Sequence, residues 1–378
     1  MSYREGMETH QRMEHIGGRV AAARKRAGLT QEALSVKLGF QDRQILSNVE
    51  SGKRALAPEE LVKLMEASGQ DLEFFIDPYR LVGEGAFSFR ADRTSVEDLD
   101  AFEERAGRWV AMYRRLKRLE GEEGGGGVSP YTLSLKLSHD SSYREAEDAG
   151  AWLSQEWELG PVPARKLVEA ACRELDLLVL FVDAPEGISG AACRLKDLDT
   201  VIINRKDNPG RRMFDFAHEL FHLLTWDRMP PARLDVVKPK ASKAKRMEKL
   251  ANAFASRLLM PADAVRRLWE ERDREASLAE NLARVADLFQ VSSQAMYWRL
   301  VFDDLLPKDA VEDYTTLTDA SRELPEPPLY SKPFLLTLHR ALEEGVISAR
   351  KAAKVLGMTL EEVGEVFDTY RLPRPYDL

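Results

Sequence analysis

The stretch from Arg212 to Trp226, Arg-Met-Phe-Asp-Phe-Ala-His-Glu-Leu-Phe-His-Leu-Leu-Thr-Trp, restricts this chain more than any other. Read as a helix, it places His218 and His222 four residues apart, so their imidazoles leave one face about one turn apart, as a single metal ion requires. Glu219 lies beside the pair, where its carboxylate can take a proton from a water activated by the metal. Phe214, Phe216, Ala217, Leu220, Phe221, Leu223 and Leu224 surround these groups, and a helix apolar on nearly every side is a buried one. The five-residue pattern alone also arises by chance, so its context must decide. A catalytic metal of this kind needs a third protein ligand and an open position. A second helical run, Met247 to Pro261, follows closely, and its first carboxylate is Glu248. Asn252 stands one turn further along nearly the same face, placed to help position the site.

His218-Glu-Leu-Phe-His222 followed by Glu248-x-x-Ala251-Asn252-x-Phe254-Ala255-x-x-Leu258-Leu259-Met260-Pro261 resembles the ImmA/IrrE family of zinc metallo-endopeptidases. The likeness runs from about Ala146 to the C-terminus, with Ala151 to Val162 similar to the family's opening helix and Pro-Val turn. It implies Zn2+ held by His218, His222 and Glu248, with Glu219 as general base. It also implies strands in front of the metal helix, an edge of which holds an extended substrate by β-addition. Implied substrates are repressor proteins cleaved on a stress or mobile-element signal. The family usually has Gly where this chain has Phe221, which bears on local packing rather than on the ligands.

The rest of the chain must supply what addresses this site. Its 378 residues, 44% hydrophobic, suffice for two or three domains. A formal charge of −8 argues against a protein that coats nucleic acid or an anionic membrane along its whole length, though a local basic patch remains compatible with it. No apolar run is long enough to span a bilayer, and the N-terminus lacks the apolar core of a signal peptide. Cys172 and Cys193 have no CxxC spacing and read as core residues, so the expected setting is a reducing cytoplasm.

Residues 16–78 read as short helices with tight turns. Arg19–Ala27 ends at Gly28, Thr30 caps a helix from Gln31 to Leu38, Gly39 breaks the chain, and a third helix runs from Asp42 to Ser51. A fourth opens near Pro58 and ends before Gly69, and Asp71–Ile76 closes the series. Leu29-Thr-Gln-Glu-Ala-Leu34 and Ser47-Asn-Val-Glu-Ser-Gly-Lys-Arg54 resemble the lambda-repressor/Cro-like (Xre) helix-turn-helix family. Between Ile16 and Leu56 eight Lys and Arg, Arg19 among them, face three acids. That local excess suits phosphate contact, while Gln31, Arg43, Gln44, Ser47 and Asn48, with Lys53 and Arg54, are of the types that meet bases and backbone. The turn before the third helix is one residue longer than usual, so Gln41 competes for a place in that set. A helical bundle used for dimerisation or for gripping a protein is the other reading of this segment.

Further along, residues 79–119 read as mostly helical, with Leu99, Phe102, Trp109, Met112, Tyr113 and Leu116 in one stripe, and Gly121–Gly127 as a hinge letting the two halves move independently. Leu177–Asp183, Gly190–Leu195 and Thr200–Asn204 read as strands. The segment Asp227–Arg246, with Lys238, Lys240, Lys243, Lys245 and Arg246, reads as a solvated loop over the site mouth. Two helix pairs near the C-terminus look like helix-turn-helix units without the charge to bind DNA.

The expected architecture is multidomain and mainly α with a small β-sheet. It has a five-helix helix-turn-helix bundle at 14–78, a helical connector at 79–145, an α+β zincin-like peptidase domain at 146–275 and a helical region at 276–378. The expected function is that of a transcriptional regulator, nucleoid-associated when bound to double-stranded operator DNA through 16–56, whose zinc endopeptidase domain cuts a repressor or toxin/antitoxin-type regulator. A homodimer is expected because such domains commonly read two half-sites. The alternative is a repressor or antitoxin-like protein whose peptidase fold senses or binds a partner without significant proteolysis.

Overall fold

The computed structural model describes residues 16–92, 94–124, 133–236, 242–319 and 325–376. At the N-terminal end five helices form a bundle: α1 (residues 16–26), α2 (Gln31–Leu38), α3 (Arg43–Glu50), α4 (Pro58–Ser68) and α5 (Leu72–Ile76). Their ends are set by local chemistry. The Thr30 hydroxyl accepts from Ala33 N–H, Gly39 closes α2 in the left-handed region at φ 79°, and Asp42 accepts from Gln44 N–H at the start of α3. Leu34, Leu46, Val49, Leu64, Phe74 and Phe75 fill the interior. Gly17 is where α1 crosses α3, since a Cβ there would lie 2.3 Å from Val49 O.

Arg19 corrects the charge count. It is fully buried, donates to the carbonyls of Phe74 and Arg80, and stands 3.8 Å from Glu84. It therefore ties α1 to the exit of the bundle and is not part of a phosphate-binding surface.

A five-stranded sheet forms the centre of the remainder, in the order β2-β4-β3-β1-β5. Its strands are β1 (Ala86–Ala91), β2 (Leu178–Val182), β3 (Ile188–Arg194), β4 (Asp199–Asn204) and β5 (Leu234–Val236). β2 and β4 are parallel, β3 is antiparallel to both β4 and β1, and β5 runs parallel to β1. Alternation divides the side chains: Val179, Ala192, Val201 and Ile203 face one core, whereas Leu180, Ala191, Cys193, Ile202, Phe87 and Phe89 face another. Both faces are thus covered, giving three layers.

The front layer contains α7 (Tyr143–Glu156), α8 (Leu167–Leu175), α9 (Pro209–Thr225), α10 (Ser242–Leu259), α11 (Ala262–Glu270), α12 (Leu278–Phe289) and α13 (Ser293–Phe302). The back layer joins α6 (Val96–Gly124) to α14 (Lys332–Glu343), α15 (Ala349–Leu356) and α16 (Leu360–Thr369). Trp109 of α6 meets Tyr330 edge-on at 5.6 Å, and Tyr113 stacks on Phe334 at 6.0 Å. Tyr330 also bridges Phe181 on the outer edge of β2.

Three sequence expectations change here. Ala86–Ala91, expected within a helical connector, is a strand, because Phe87, Phe89 and Ala91 enter the back core on alternate residues while Ser88 and Arg90 face forward. Of the expected hinge, residues 121–124 continue α6 and 125–127 lie outside the described residues. Since β1 and α6 precede that point and pack on the sheet, it does not separate a DNA-binding half from a peptidase half. Leu234–Val236 is strand β5 rather than loop, and Lys238 and Lys240 lie outside the described residues.

The bundle meets this body at α5, where Lys351 and Lys354 of α15 pair with Asp77 at 3.0 Å and Glu73 at 2.8 Å. No helix among the described residues is long and apolar enough to cross a membrane.

Candidate metal centre and nucleic-acid interface

Asn208 accepts from Arg211 N–H and Pro209 occupies the first turn, so α9 begins at a defined point. Arg212 donates to the carbonyls of Arg205 and Asp207, fastening that turn to the end of β4. From there α9 runs beneath β3 and β4 and alongside α10, and every residue from Asp215 to Thr225 is buried. Phe221 fits this interior, 5.5 Å from the ring of Phe254 and 5.9 Å from that of His222. The departure from the family's usual Gly is therefore filled by core packing.

α10 is held at its start by Arg246, which donates to the carbonyls of His139 and Ser141. Along its length it lies close to α7, because a Cβ on Gly150 would come within 2.5 Å of Phe254 O. This close packing brings Glu248 over the two histidines. His218 Nε2 lies 3.1 Å from His222 Nε2 and 3.1 Å from Glu248 Oε2, and His222 Nε2 lies 3.5 Å from Glu248 Oε1. Both imidazoles are fully buried and the Glu248 side chain is 12% exposed.

The three donors fit a metal ion. A tetrahedral zinc with bonds of about 2.0–2.1 Å separates its ligand atoms by about 3.3 Å, close to the spacings observed. The tautomer agrees as well: His218 Nδ1 lies 3.0 Å from Asn252 Oδ1, an acceptor, so the proton belongs on Nδ1 and Nε2 presents its lone pair. With His222 in the ligating tautomer as well, the two Nε2 lone pairs would face each other at 3.1 Å and repel unless a cation lay between them.

Glu219 is 1% exposed and rests against β3, where the position of a Cβ on Gly190 falls 3.6 Å from Glu219 Cγ. A Cβ at Gly190 would touch the glutamate at ordinary contact distance and press more closely on Ile202 O, at 3.2 Å. One turn earlier on the same face Asp215, 2% exposed, pairs with Arg90 of β1 at 3.1 Å and with Arg211 at 3.5 Å. Arg90 was not among the residues singled out from sequence. Its signal was the period-two alternation of Phe87, Phe89 and Ala91, which sends the residue between them to the opposite face.

β3, the strand next to Glu219, pairs with β4 on one side and β1 on the other. An extended peptide therefore meets no open edge on β3, and the edge strands of the sheet are β2 and β5.

In the bundle, Asp42 caps α3 and fixes its frame: Arg43 is the first helical residue and Gln41 lies in the preceding turn. Arg43 and Gln44 are exposed, Ser47 and Asn48 follow on the same face half-buried, and Leu46 and Val49 point into the core. Gln44 Nε2 donates to Asn48 Oδ1 at 3.3 Å, and Lys53 is exposed beyond the helix. Two candidates are engaged within the protein. Gln31 donates to Glu50 at 2.7 Å, beside the two-point contact of Arg24 with the same carboxylate, and Arg54 forks onto Glu60 at 2.7 and 2.9 Å while lying over the Phe40 ring. That pairing holds the Glu60 carboxyl below its usual range.

Comparison with known families accords with both sites. Residues 172–301 match the family model described as the IrrE N-terminal-like domain, and residues 20–75 match the helix-turn-helix model. The chain thus joins an N-terminal helix-turn-helix domain to an ImmA/IrrE-like, metallopeptidase-like domain. No curated protein and no solved structure matches it.

Proposed function

We propose that this chain is a DNA-binding transcriptional regulator whose peptidase domain hydrolyses, with zinc, peptide bonds of a regulatory protein partner such as a repressor or a toxin/antitoxin-type regulator. The observation that carries the reading is the convergence of His218, His222 and Glu248 within 4.8 Å, with Glu219 beside them. A zinc ion held by those donors would supply Lewis acidity, acidifying a water toward a pKa of ~7 and polarising a carbonyl. Glu219 takes the proton of the attacking water and returns it to the leaving amine. Asn252 keeps His218 in the tautomer that can serve as a ligand. In the bundle, Arg43, Gln44, Ser47 and Asn48 address DNA from the outer face of α3, with Lys53 on phosphate.

Metal analysis of the gently purified chain should give about one zinc per molecule, lost in His222→Ala, as three protein ligands predict. Glu219→Gln should keep the zinc and stabilise an uncut partner. A zinc-free wild type ends the reading.

A second reading, in which the peptidase fold binds a partner without significant cleavage, is favoured by one observation: β1 and β4 occupy both edges of β3. If wild type and Glu219→Gln leave the same partner equally intact while both bind it, this reading replaces the first.

A further inference from the structure

Arg90 lies outside the segment that matches the peptidase family, yet its side chain reaches the metal helix. Strand β1 places it there. Its backbone pairs with Gly190, the residue beneath Glu219, and the alternation that buries Phe87 and Phe89 behind the sheet turns Arg90 to the front. Its Nε forms an ion pair with Asp215 Oδ1 at 3.1 Å, and Asp215 stands three and four residues before His218 and Glu219 on one helical face. The guanidinium is thereby fixed about one turn from the metal donors.

The rest of that guanidinium is not used by the fold. Arg90 Nε and Nη1 are both buried and neither makes a hydrogen bond among the described residues, although Nε forms an ion pair with Asp215 Oδ1 and the side chain as a whole is 16% exposed. A buried guanidinium N–H without an acceptor is costly, and such groups are normally satisfied. Were Arg90 only a clamp for Asp215, a lysine would serve. A guanidinium placed by an ion pair, with Nε and Nη1 hydrogens left without acceptors, is suited to receive a planar oxygen pair.

The geometry points to Arg90 as a substrate-binding residue of the metal cleft, offering its free arm to a carboxylate carried by the peptide, from an acidic side chain or a chain terminus. This rests on the zinc reading above and goes beyond it by naming a substrate feature. Asp215 is the positioning residue.

Three thiol probes test it by calorimetric titration of the zinc-loaded full chain, each using its thiol as metal anchor: mercaptoacetyl-glutamine amide, mercaptoacetyl-glutamate amide and mercaptoacetyl-glycine with a free carboxylate. In the wild type at least one acid should bind about tenfold more tightly than the neutral amide, the gain expected of one charge-assisted hydrogen bond. Which acid does so tells a side-chain carboxylate from a terminal one. Arg90→Lys should keep the fold and lose most of the preference. Arg90→Met combined with Asp215→Asn, which leaves no unpaired buried charge, should abolish it while the neutral probe binds as before. Equal binding of all three probes by the wild type overturns the proposal, as does a preference that survives in the double variant. A chain that takes up no zinc ends the metal reading and this one with it, whereas neutral-probe binding without a carboxylate preference ends this one alone.

Discussion

His218 Nδ1 and Asn252 Oδ1 face each other at 3.0 Å across the gap between α9 and α10. Asn252 stands one turn after Glu248 on the same helix, so a single element supplies one donor directly and orients another. Asn252→Ala should therefore lower zinc affinity about 10–100-fold, the usual effect of removing a hydrogen-bond partner from a ligating histidine. Competition with a coloured chelator measures this. Asn252→Asp should retain tight binding, because a carboxylate accepts from Nδ1–H equally well.

Gly190 is the position where β3 lies against Glu219. A Cβ there would sit 3.2 Å from Ile202 O and 3.4 Å from Ile203 Cδ1, as well as 3.6 Å from Glu219 Cγ. Gly190→Val, bulkier still, should displace Glu219 while leaving the donors on α9 and α10 in place. Zinc content should stay near one per chain while cleavage of any partner falls to the level of Glu219→Gln. Loss of zinc in this variant would show that β3 supports the donors as well as the glutamate.

Glu50 and Arg43 should separate stability from DNA affinity. Glu50 holds both Arg24 and Gln31, and its pair with Arg24 is largely buried, with side chains 9% and 13% exposed. Glu50→Ala should destabilise the bundle by about 3 kcal/mol, since it leaves a mostly buried guanidinium without its partner. Arg43 is exposed, so Arg43→Ala should leave the melting temperature unchanged and weaken binding to operator-length duplexes. If its contact is to phosphate, the slope of log K against log salt should become shallower by about 0.9. Thermal melts and anisotropy titrations read the two effects independently.

The clasp between α5 and α15 should respond to acid. Burial pushes the Asp77 carboxyl up, but the Tyr79 N–H and the Lys351 ammonium outweigh it and hold the carboxyl below its ordinary range. A carboxyl lowered by folding stabilises the native state above its unfolded pKa of about 3.9, and that contribution is lost as pH falls through the folded value. Asp77→Asn should flatten this part of the acid-unfolding profile and reduce stability at pH 7. An unchanged profile would show that the contact contributes nothing to the join.

Local chemistry made much of this legible in the sequence. Thr30, Gly39 and Pro58 mark real helix ends in the bundle, and the metal helix is buried as its apolar residues require. The strands at 178–182, 188–194 and 199–204 fall close to the expected runs because they are short, apolar and bounded by turns. Partners distant in sequence were not legible. Arg19 looks like a basic-patch residue until Phe74 and Arg80 enclose it, and Arg90 looks like one charge among many until β1 pairs with a strand a hundred residues later. The back layer was hidden for the same reason, since its halves, α6 and α14 to α16, come from either side of the peptidase segment.

That divided back layer sets an order of events during synthesis. The helix-turn-helix bundle is complete in itself as it leaves the ribosome, whereas β1 emerges before β3 exists and must wait for it. α14 to α16, which close the sheet behind Leu180 and Ile202, arrive last. A nascent or truncated chain therefore has a finished helix-turn-helix bundle well before it has a finished sheet, and a shortened transcript would yield that bundle with a sheet that never closes.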